Sequence, residues 1–364
     1  MAQESLQIRL LQPGEEDALQ VFREQVYDFL PVKQTRSHWM WQYAQNPQVD
    51  STGYLTLVCW DGDQIVGQRP LMPFRLWVKG KPVNAVWAPD FMVHPGYRGK
   101  GVGSRLYGTA LRLNYVYVAA NSEKATLHIY HKAGATRLPD LISFIYPHSI
   151  QQFLAKRWRL LFGLSVAQRL GEWLLSVRRW TYSVRSRRDE RFDIVDLDWR
   201  DYRLDGLWTA SKLDSLVVAE RSVEFMRWRL GGYANGLYQT VAAAAGGDLV
   251  GYVVWRSLSP GRFLVVDAWS TAMRPDVLRA LMGEMLRRNQ SQIGSEFTQC
   301  DAAHSLLVKT LKACGFLASG SKSLVVHPAA SSVPADVLAQ ADTWYVTALD
   351  SDLDPVFQYG RSML

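Results

Sequence analysis

One stretch, Val86 to Leu113, limits what this chain can fold into more than any other: VWAPDFMVHPGYRGKGVGSRLYGTALRL. Val86, Trp87, Phe91, Met92 and Val93 favour a strand, and His94-Pro95-Gly96 stops it. From Val102 the positions Val102, Leu106, Tyr107, Ala110, Leu111 and Leu113 recur at helical spacing. Between strand and helix stands Arg98-Gly99-Lys100-Gly101-Val102-Gly103-Ser104, a basic, glycine-rich turn. The first turn of a helix has unpaired N–H groups and partial positive charge, so it attracts phosphate. Glycine lets a ligand approach backbone that a Cβ would hold off, and Arg98 and Lys100 add fixed charge. A plain strand–turn–helix connection is the competing reading of such glycines. Spacing excludes a Walker-type loop, since G-x-x-x-x-G-K-[ST] does not occur, and the G-x-G-x-G here is not the dinucleotide fingerprint.

Val93 to Gly103 resembles the acyl-coenzyme A signature of the GNAT family of N-acetyltransferases, Arg/Gln-x-x-Gly-x-Gly/Ala, at Arg98, Gly101 and Gly103. The resemblance implies that the backbone of Arg98, Gly99, Lys100, Gly101, Val102, Gly103 and Ser104 holds the coenzyme A pyrophosphate. It also implies that Phe91, Met92 and Val93 pair with the pantetheine arm and polarise the thioester carbonyl. Asn121, Ala125, Tyr130 and Gly134 resemble the family's N…A…Y-x-x-x-G helix. There the tyrosine protonates the departing thiolate, and Asn121 joins the cofactor site.

The element order from Gln7 to Pro147 is similar to one GNAT domain. It reads strand (Gln7–Leu11), helix (Glu15–Leu30), helix (Ser37–Ala44), then strands Tyr54–Trp60, Ile65–Phe74 and Leu76–Val78. After the glycine turn come a strand at Tyr115–Ala119 and a helix from Asn121 to Ala133. The second half repeats the pattern at a period of about 185 residues. Arg36 to Trp41 has a counterpart in Arg221 to Trp228, and Tyr54 to Gly67 in Tyr238 to Gly251. Phe263–Trp269 answers the Val86 strand, with Asp267 in the place of Asp90. The turn Met273-Arg274-Pro275-Asp276-Val277 has lost its glycines, Pro275 and Asp276 oppose phosphate, and Leu311 stands four residues before Gly315 where a tyrosine is expected. The expected class is α/β (α+β): tandem GNAT folds, each a mixed, mostly antiparallel twisted sheet flanked by helices. The expected division is 1–149 with the acyl-CoA site, 150–191 as basic amphipathic linker helices, and 192–364 as a degenerate GNAT-like domain with a C-terminal strand (Thr343–Ala348) and acidic tail (Asp350, Asp352, Asp354).

Charge sharpens the partner question. The net charge is +7, and residues 151–191 hold ten basic side chains against three acids, a surplus equal to that of the whole chain. The remainder is neutral, which argues against nucleic acid as a partner. The segment reads either as a linker helix with a solvated basic face or, over 151–188, as a helix lying on an anionic membrane. Three scattered cysteines, Cys59, Cys300 and Cys314, offer neither a disulfide framework nor a metal site, and no metal is expected. No apolar run reaches the roughly 18 residues of a membrane span, so the expected location is cytoplasmic, with the inner membrane face as an alternative.

Acyl transfer needs a neutral amine, a stabilised oxyanion and a protonated leaving group. The candidate base is Asp90, acting through water, with a structural role the alternative. His94, His128 and His131 are weaker candidates, and Tyr130 is the candidate acid. The expectation is an acetyl-CoA-dependent N-acyltransferase acting on a small primary amine. Trp39, Trp41, Tyr43 and Trp87 would suit an amino sugar by stacking. The alternatives are a longer-chain acyl or aminoacyl transferase at the membrane, or a non-catalytic acyl-CoA sensor.

Overall fold

Strand and helix patterns run twice through the chain. The structure is a computed structural model describing residues 6–27, 35–49, 53–149, 191–211, 216–232 and 236–354. The first unit contains β1 (Leu6–Leu10), α1 (Glu16–Val26) and α2 (Arg36–Trp39), which runs on as a π-helical turn, Met40–Ala44. Then follow β2 (Thr56–Asp61), β3 (Gln64–Pro70), β4 (Met72–Val78), β5 (Lys81–Trp87) and β6 (Met92–Val93). It closes with α3 (Val102–Ala110), β7 (Val116–Ala120), α4 (Lys124–Lys132) and β8 (Thr136–Pro147). The second unit contains β9 (Asp193–Asp196), α5 (Arg203–Ala210), β10 (Val217–Ala219), α6 (Val223–Gly231), β11 (Tyr238–Ala245), β12 (Asp248–Ser259) and β13 (Arg262–Ser270). It ends with α7 (Pro275–Gln290), β14 (Phe297–Ala302), α8 (Ser305–Ala313), β15 (Leu317–His327), α9 (Ala335–Leu338) and β16 (Trp344–Tyr345). The basic linker at 150–190 lies outside the described residues.

Three boundaries differ from the sequence expectation, each for a local reason. The strand expected at Ile65–Phe74 is two strands: as far as Leu71, whose amide bonds the Leu55 carbonyl at 2.8 Å, the chain keeps the β2 register, and from Met72, paired with Trp87, it follows β5. That break sends β3 into a four-stranded sheet, β1-β2-β3-β6, and β4 into a twelve-stranded one. The helix expected from Asn121 begins at Lys124, since Asn121 adopts a left-handed φ of 53°. The C-terminal strand is confined to Trp344–Tyr345.

The large sheet runs β16-β10-β4-β5-β7-β15-β8-β14-β13-β12-β11-β9. The last long strands of the two units are exchanged. β15, from the second unit, lies between β7 and β8 of the first, and β8 lies between β15 and β14. The pairing is antiparallel throughout, from Leu324↔Ala120 to His327↔Tyr117 on one edge and from Phe297↔Pro147 to Ala302↔Ile142 on the other. Neither unit can complete its sheet alone, so cutting either ladder would expose edge strands.

The two units also meet through equivalent residues. Trp41 and Trp228 end the counterpart segments of the repeat, and their rings stack with centroids 5.3 Å apart. Each indole donates to the other's carbonyl, Trp41 Nε1 at 3.2 Å and Trp228 Nε1 at 3.0 Å. A reciprocal contact of this kind is what an approximate two-fold relation between repeats produces.

The acidic tail is not a solvated rim. Asp350 and Asp354 are buried, and they pair with the buried Arg221 at 2.8 Å and Arg256 at 2.5 Å. Buried carboxylates need such partners, and the ion pairs pin the segment after β16 into the second unit.

Candidate active site

A break in one long strand opens the site. β5 runs parallel to β7, Ala85↔Val116 to Trp87↔Val118, and the Ala88 amide still bonds Val118 at 3.0 Å. Beyond it the chain turns at Asp90, left-handed with φ 59°, and β6 pairs with β3 in the smaller sheet, Gly67↔Val93 and Gln68↔Met92. β7 stays in the large sheet and ends at Asn121, which is also left-handed. Two non-glycine residues in this sparse region flank one opening, a common mark of a functional site. The His94 amide bonds Val66 at 2.9 Å, so alternation along the antiparallel pair turns the Val93 amide away from β3.

The glycine turn sits at the mouth of this opening. Gly99 (φ 75°) and Gly101 (φ 77°) are left-handed with open space beside them, and Gly101 caps α3. The first intrahelical bond is Arg105 N–H to the Gly101 carbonyl at 3.1 Å, which leaves the amides of the turn pointing outward. Arg98, Lys100 and Ser104 are exposed around them, whereas Val102 is buried against the core. Gly103 joins the parts: a Cβ there would lie 3.3 Å from Phe91 Cζ and from Ile129 Cδ1 of α4.

Alternation along β3 divides the site into two faces. On one face Gln68 Nε2 donates to the Asp90 carbonyl at 3.0 Å and to Tyr27 Oη at 3.1 Å. The Asp90 carboxylate accepts the Tyr43 hydroxyl at 2.7 Å, and burial followed by the Asp90 charge holds that phenol well above its ordinary pKa. On the other face Arg69 Nη2 donates to Tyr130 Oη at 2.6 Å. Its guanidinium lies 4.6 Å from the Phe91 ring and 5.1 Å from Tyr117. Burial raises the Tyr130 phenol above the ordinary value, and the Arg69 charge and Ser122 pull it back.

The sequence from residue 7 to 132 matches the family model of an acetyltransferase (GNAT) domain. No curated protein matches the chain. Among solved structures it is similar to a conserved protein of Enterococcus faecalis described as a probable N-acyltransferase, at 12% identity and TM-score 0.61, covering 89% of this chain and 73% of that one. A GCN5-related N-acetyltransferase from Anabaena variabilis follows at 10% identity and TM-score 0.59, covering 89% and 73%. Another from Kribbella flavida has 16% identity and TM-score 0.55, covering 88% and 71%. At these identities the likeness is one of fold, and it extends over both units.

Acyl-coenzyme A fits the residues of the first unit's opening. Left-handed glycines with clear space, outward amides and exposed Arg98 and Lys100 suit its pyrophosphate. The amide of Val93 suits an extended arm. Asn121 is exposed at the far lip, where its own amide bonds Ser323 of β15 at 2.8 Å. The exchanged strand of the second unit thus supports one edge of the first unit's opening.

The second unit repeats the element order of the first and fills the equivalent space with its own chain. β13 and β14 pair only from Arg262↔Phe297 to Val265↔Cys300. Beyond that point the segment after β16 enters: the Leu349 amide bonds Val266 at 2.8 Å, and the Ala303 amide bonds Val346 at 3.3 Å. Asp267, the counterpart of Asp90, is buried and held by Thr347 Oγ1 at 2.8 Å, Tyr252 Oη at 2.7 Å and Arg221 at 3.4 Å. Asp276 in the first turn of α7 is paired with Arg274 at 2.6 Å, so that helix start already carries an anion.

Several expected roles change. Trp39, Trp41, Tyr43 and Trp87 are all buried; Trp39 packs on Tyr54, Trp41 on Trp228 and Trp87 on Phe74. They are core, and the case for a stacked amino sugar falls with them. His94 accepts from the Gly96 amide at 3.2 Å and caps the turn, while His128 and His131 are exposed. A cleft of about 280 Å³ lined by Pro47, Gln48, Phe74, Arg75, Asn84 and Tyr115 contains none of the site residues. Sequence reasoning missed Gln68 and Arg69. Their signal was a polar pair in the middle of the apolar run Ile65–Phe74, where burial demands a partner.

Proposed function

We propose that the chain is an acyl-CoA-dependent N-acyltransferase that moves an acetyl group onto a primary amine of a small molecule. The observation that carries this reading is the junction of three elements at Gly103. The glycine turn, the β6 strand and the Tyr130-bearing helix converge there, and Tyr130 ends beside Arg69.

The thioester, when bound, supplies an activated acyl carbon and a sulfur leaving group. Phe91, Met92 and Val93 would align the arm, and the Val93 amide, turned away from β3, would donate to the carbonyl oxygen that becomes negative. The amides of Arg98, Gly99, Lys100, Gly101, Val102, Gly103 and Ser104 hold phosphate, and Asn121 borders the other side. Tyr130 accepts a hydrogen bond from Arg69, which leaves its own proton free to be given to sulfur. Asp90 lies on the opposite face of β3, where an amine can approach without crossing Tyr130. It draws the amine's proton through water while Tyr43 fixes its carboxylate.

Calorimetric titration with acetyl-CoA, followed by thiol release against a panel of amines, tests the reading. Binding with release for at least one amine is expected. Tyr130→Phe should slow turnover about 10²-fold or more, the usual worth of a general acid, with acetyl-CoA affinity unchanged. Equal loss of both would remove Tyr130 as the acid. No binding by the parent protein would remove the reading itself.

A further inference from the structure

Arg69 is fully buried, and among the described residues no carboxylate pairs with it. Among the other buried guanidinium groups, Arg221 pairs with Asp267 and Asp350, Arg256 pairs with Asp354, Arg229 donates to the Leu349 and Ser351 carbonyls, and Arg23 donates to Gln68 Oε1. An uncompensated buried charge is costly, so a fold that keeps one has a use for it. The Nη2 atom donates to Tyr130 Oη at 2.6 Å, while Nε and Nη1 have no partner among the described residues. Tyr107 Oη, on a ring 4.7 Å from that of Tyr130, is likewise buried without a partner among the described residues. The aromatic faces of Phe91, Tyr117 and Tyr130 enclose the guanidinium in place of an anion. The charge is therefore aimed at one hydroxyl in a buried pocket, where it favours the ionised form of that hydroxyl strongly.

We infer that Arg69 is a positioning residue for the acyl transfer, holding Tyr130 in line and stabilising the phenolate formed when Tyr130 gives up its proton. The inference rests on the function proposed above and names the group that makes its acid effective. As the C–N bond forms and the C–S bond breaks, the sulfur takes the electron pair and then the Tyr130 proton. The phenolate left behind keeps its bond to Arg69 Nη2. It is reprotonated by the proton that the new amide nitrogen sheds, passed through solvent, so the enzyme returns to its starting state.

The test replaces Tyr130 with a fluorinated tyrosine, whose phenol ionises in a range where the fold survives and whose ¹⁹F signal reports it. The free protein is titrated with Arg69 intact, as Arg69→Lys and as Arg69→Met. Arg69→Met should raise the phenol pKa by about one unit or more, a tenfold change in its ionisation equilibrium. Arg69→Lys should recover most of the shift, because it restores charge. In the unfluorinated chain Arg69→Met should lower kcat while acetyl-CoA affinity stays within about twofold. A ¹⁹F titration unchanged by Arg69→Met would overturn the inference. Should Arg69→Met fail to fold, Tyr130→Phe decides: the ¹⁵N signals of the Arg69 guanidinium must move when their acceptor is removed, and unmoved signals would overturn it. A shifted phenol with undiminished turnover in Tyr130→Phe would instead refute the acid role, and leave the Arg69–Tyr130 coupling intact.

Discussion

Gly101 and Gly103 stand two residues apart, yet the structure gives them opposite jobs, and alanine at each separates fold from ligand. Gly101 has φ 77°, with nothing within 4 Å of where a Cβ would go. A side chain there meets the left-handed penalty of about 1–2 kcal/mol, offset by about 0.4–1 kcal/mol from the stiffer unfolded chain. Gly101→Ala should therefore cost about 1 kcal/mol of stability. Gly103 lies inside the first turn of α3 without a left-handed φ, so alanine gains about 0.8–1 kcal/mol of helix propensity. Against that, its Cβ would lie 3.3 Å from Phe91 Cζ and Ile129 Cδ1, the far ends of side chains that can shift by a few tenths of an ångström. Gly103→Ala should hold the urea midpoint at or slightly above that of the parent. The shift comes out of the gap, because Phe91 belongs to the strand expected to carry the pantetheine arm. Acetyl-CoA affinity by calorimetry should then fall about tenfold, which corresponds to 1.4 kcal/mol. A Gly103→Ala protein less stable than Gly101→Ala would refute the packing argument. One that is stable and binds like the parent would show that the arm does not pass between α3 and β6.

Two further outcomes follow from the same geometry. Trp228→Ala removes a buried ring stacked on Trp41 and one of two reciprocal hydrogen bonds, and should cost about 3–5 kcal/mol in urea unfolding; less than about 1 kcal/mol would mean that this contact does not couple the units. His304 and His327 are both held below the ordinary imidazole value by burial. The unfolded chain then binds more protons below its own pKa near 6.5, so stability present above that pH is lost as pH falls through the depressed folded values. The urea midpoint should drop between about pH 7 and 5, and His304→Asn with His327→Asn should flatten that slope.

The legible part of this fold was local, and the illegible part was not. Helical spacing from Val102, the stop at His94-Pro95-Gly96 and the glycine turn are near-neighbour facts, and each element appears within a few residues of its expected place. The break at Leu71 depends on Met72 pairing with Trp87, fifteen positions further on, and no pattern inside Ile65–Phe74 encodes it. The exchange of β8 and β15 is harder still, because both strands satisfy the same period whichever neighbour they pair with. Asp350 and Asp354 of the acidic tail are buried against Arg221 and Arg256, partners about a hundred residues earlier that no local pattern points to. The site divides the same way: the turn and Tyr130 sit in contiguous motifs, whereas Arg69 gains its meaning from a hydroxyl 61 residues away.

The persistence of a second unit without a working turn follows from this long-range pairing. Its β15 carries Ser323, whose carbonyl accepts the Asn121 amide and whose Oγ accepts the Ser122 amide at 3.0 Å. Those two bonds hold the turn between β7 and α4, the helix that delivers Tyr130. Its own opening is closed by the segment from Trp344 to Asp350, buried and bonded to both β13 and the residue after β14. A unit whose gap is filled is free to lose glycines at Met273-Arg274-Pro275 and still be indispensable, because what it supplies is a strand. Selection on the first unit's chemistry then acts on the second unit's ladder. Substitutions along β15 should thus disturb the site through the Asn121–Ser122 turn while leaving every residue of the glycine motif untouched.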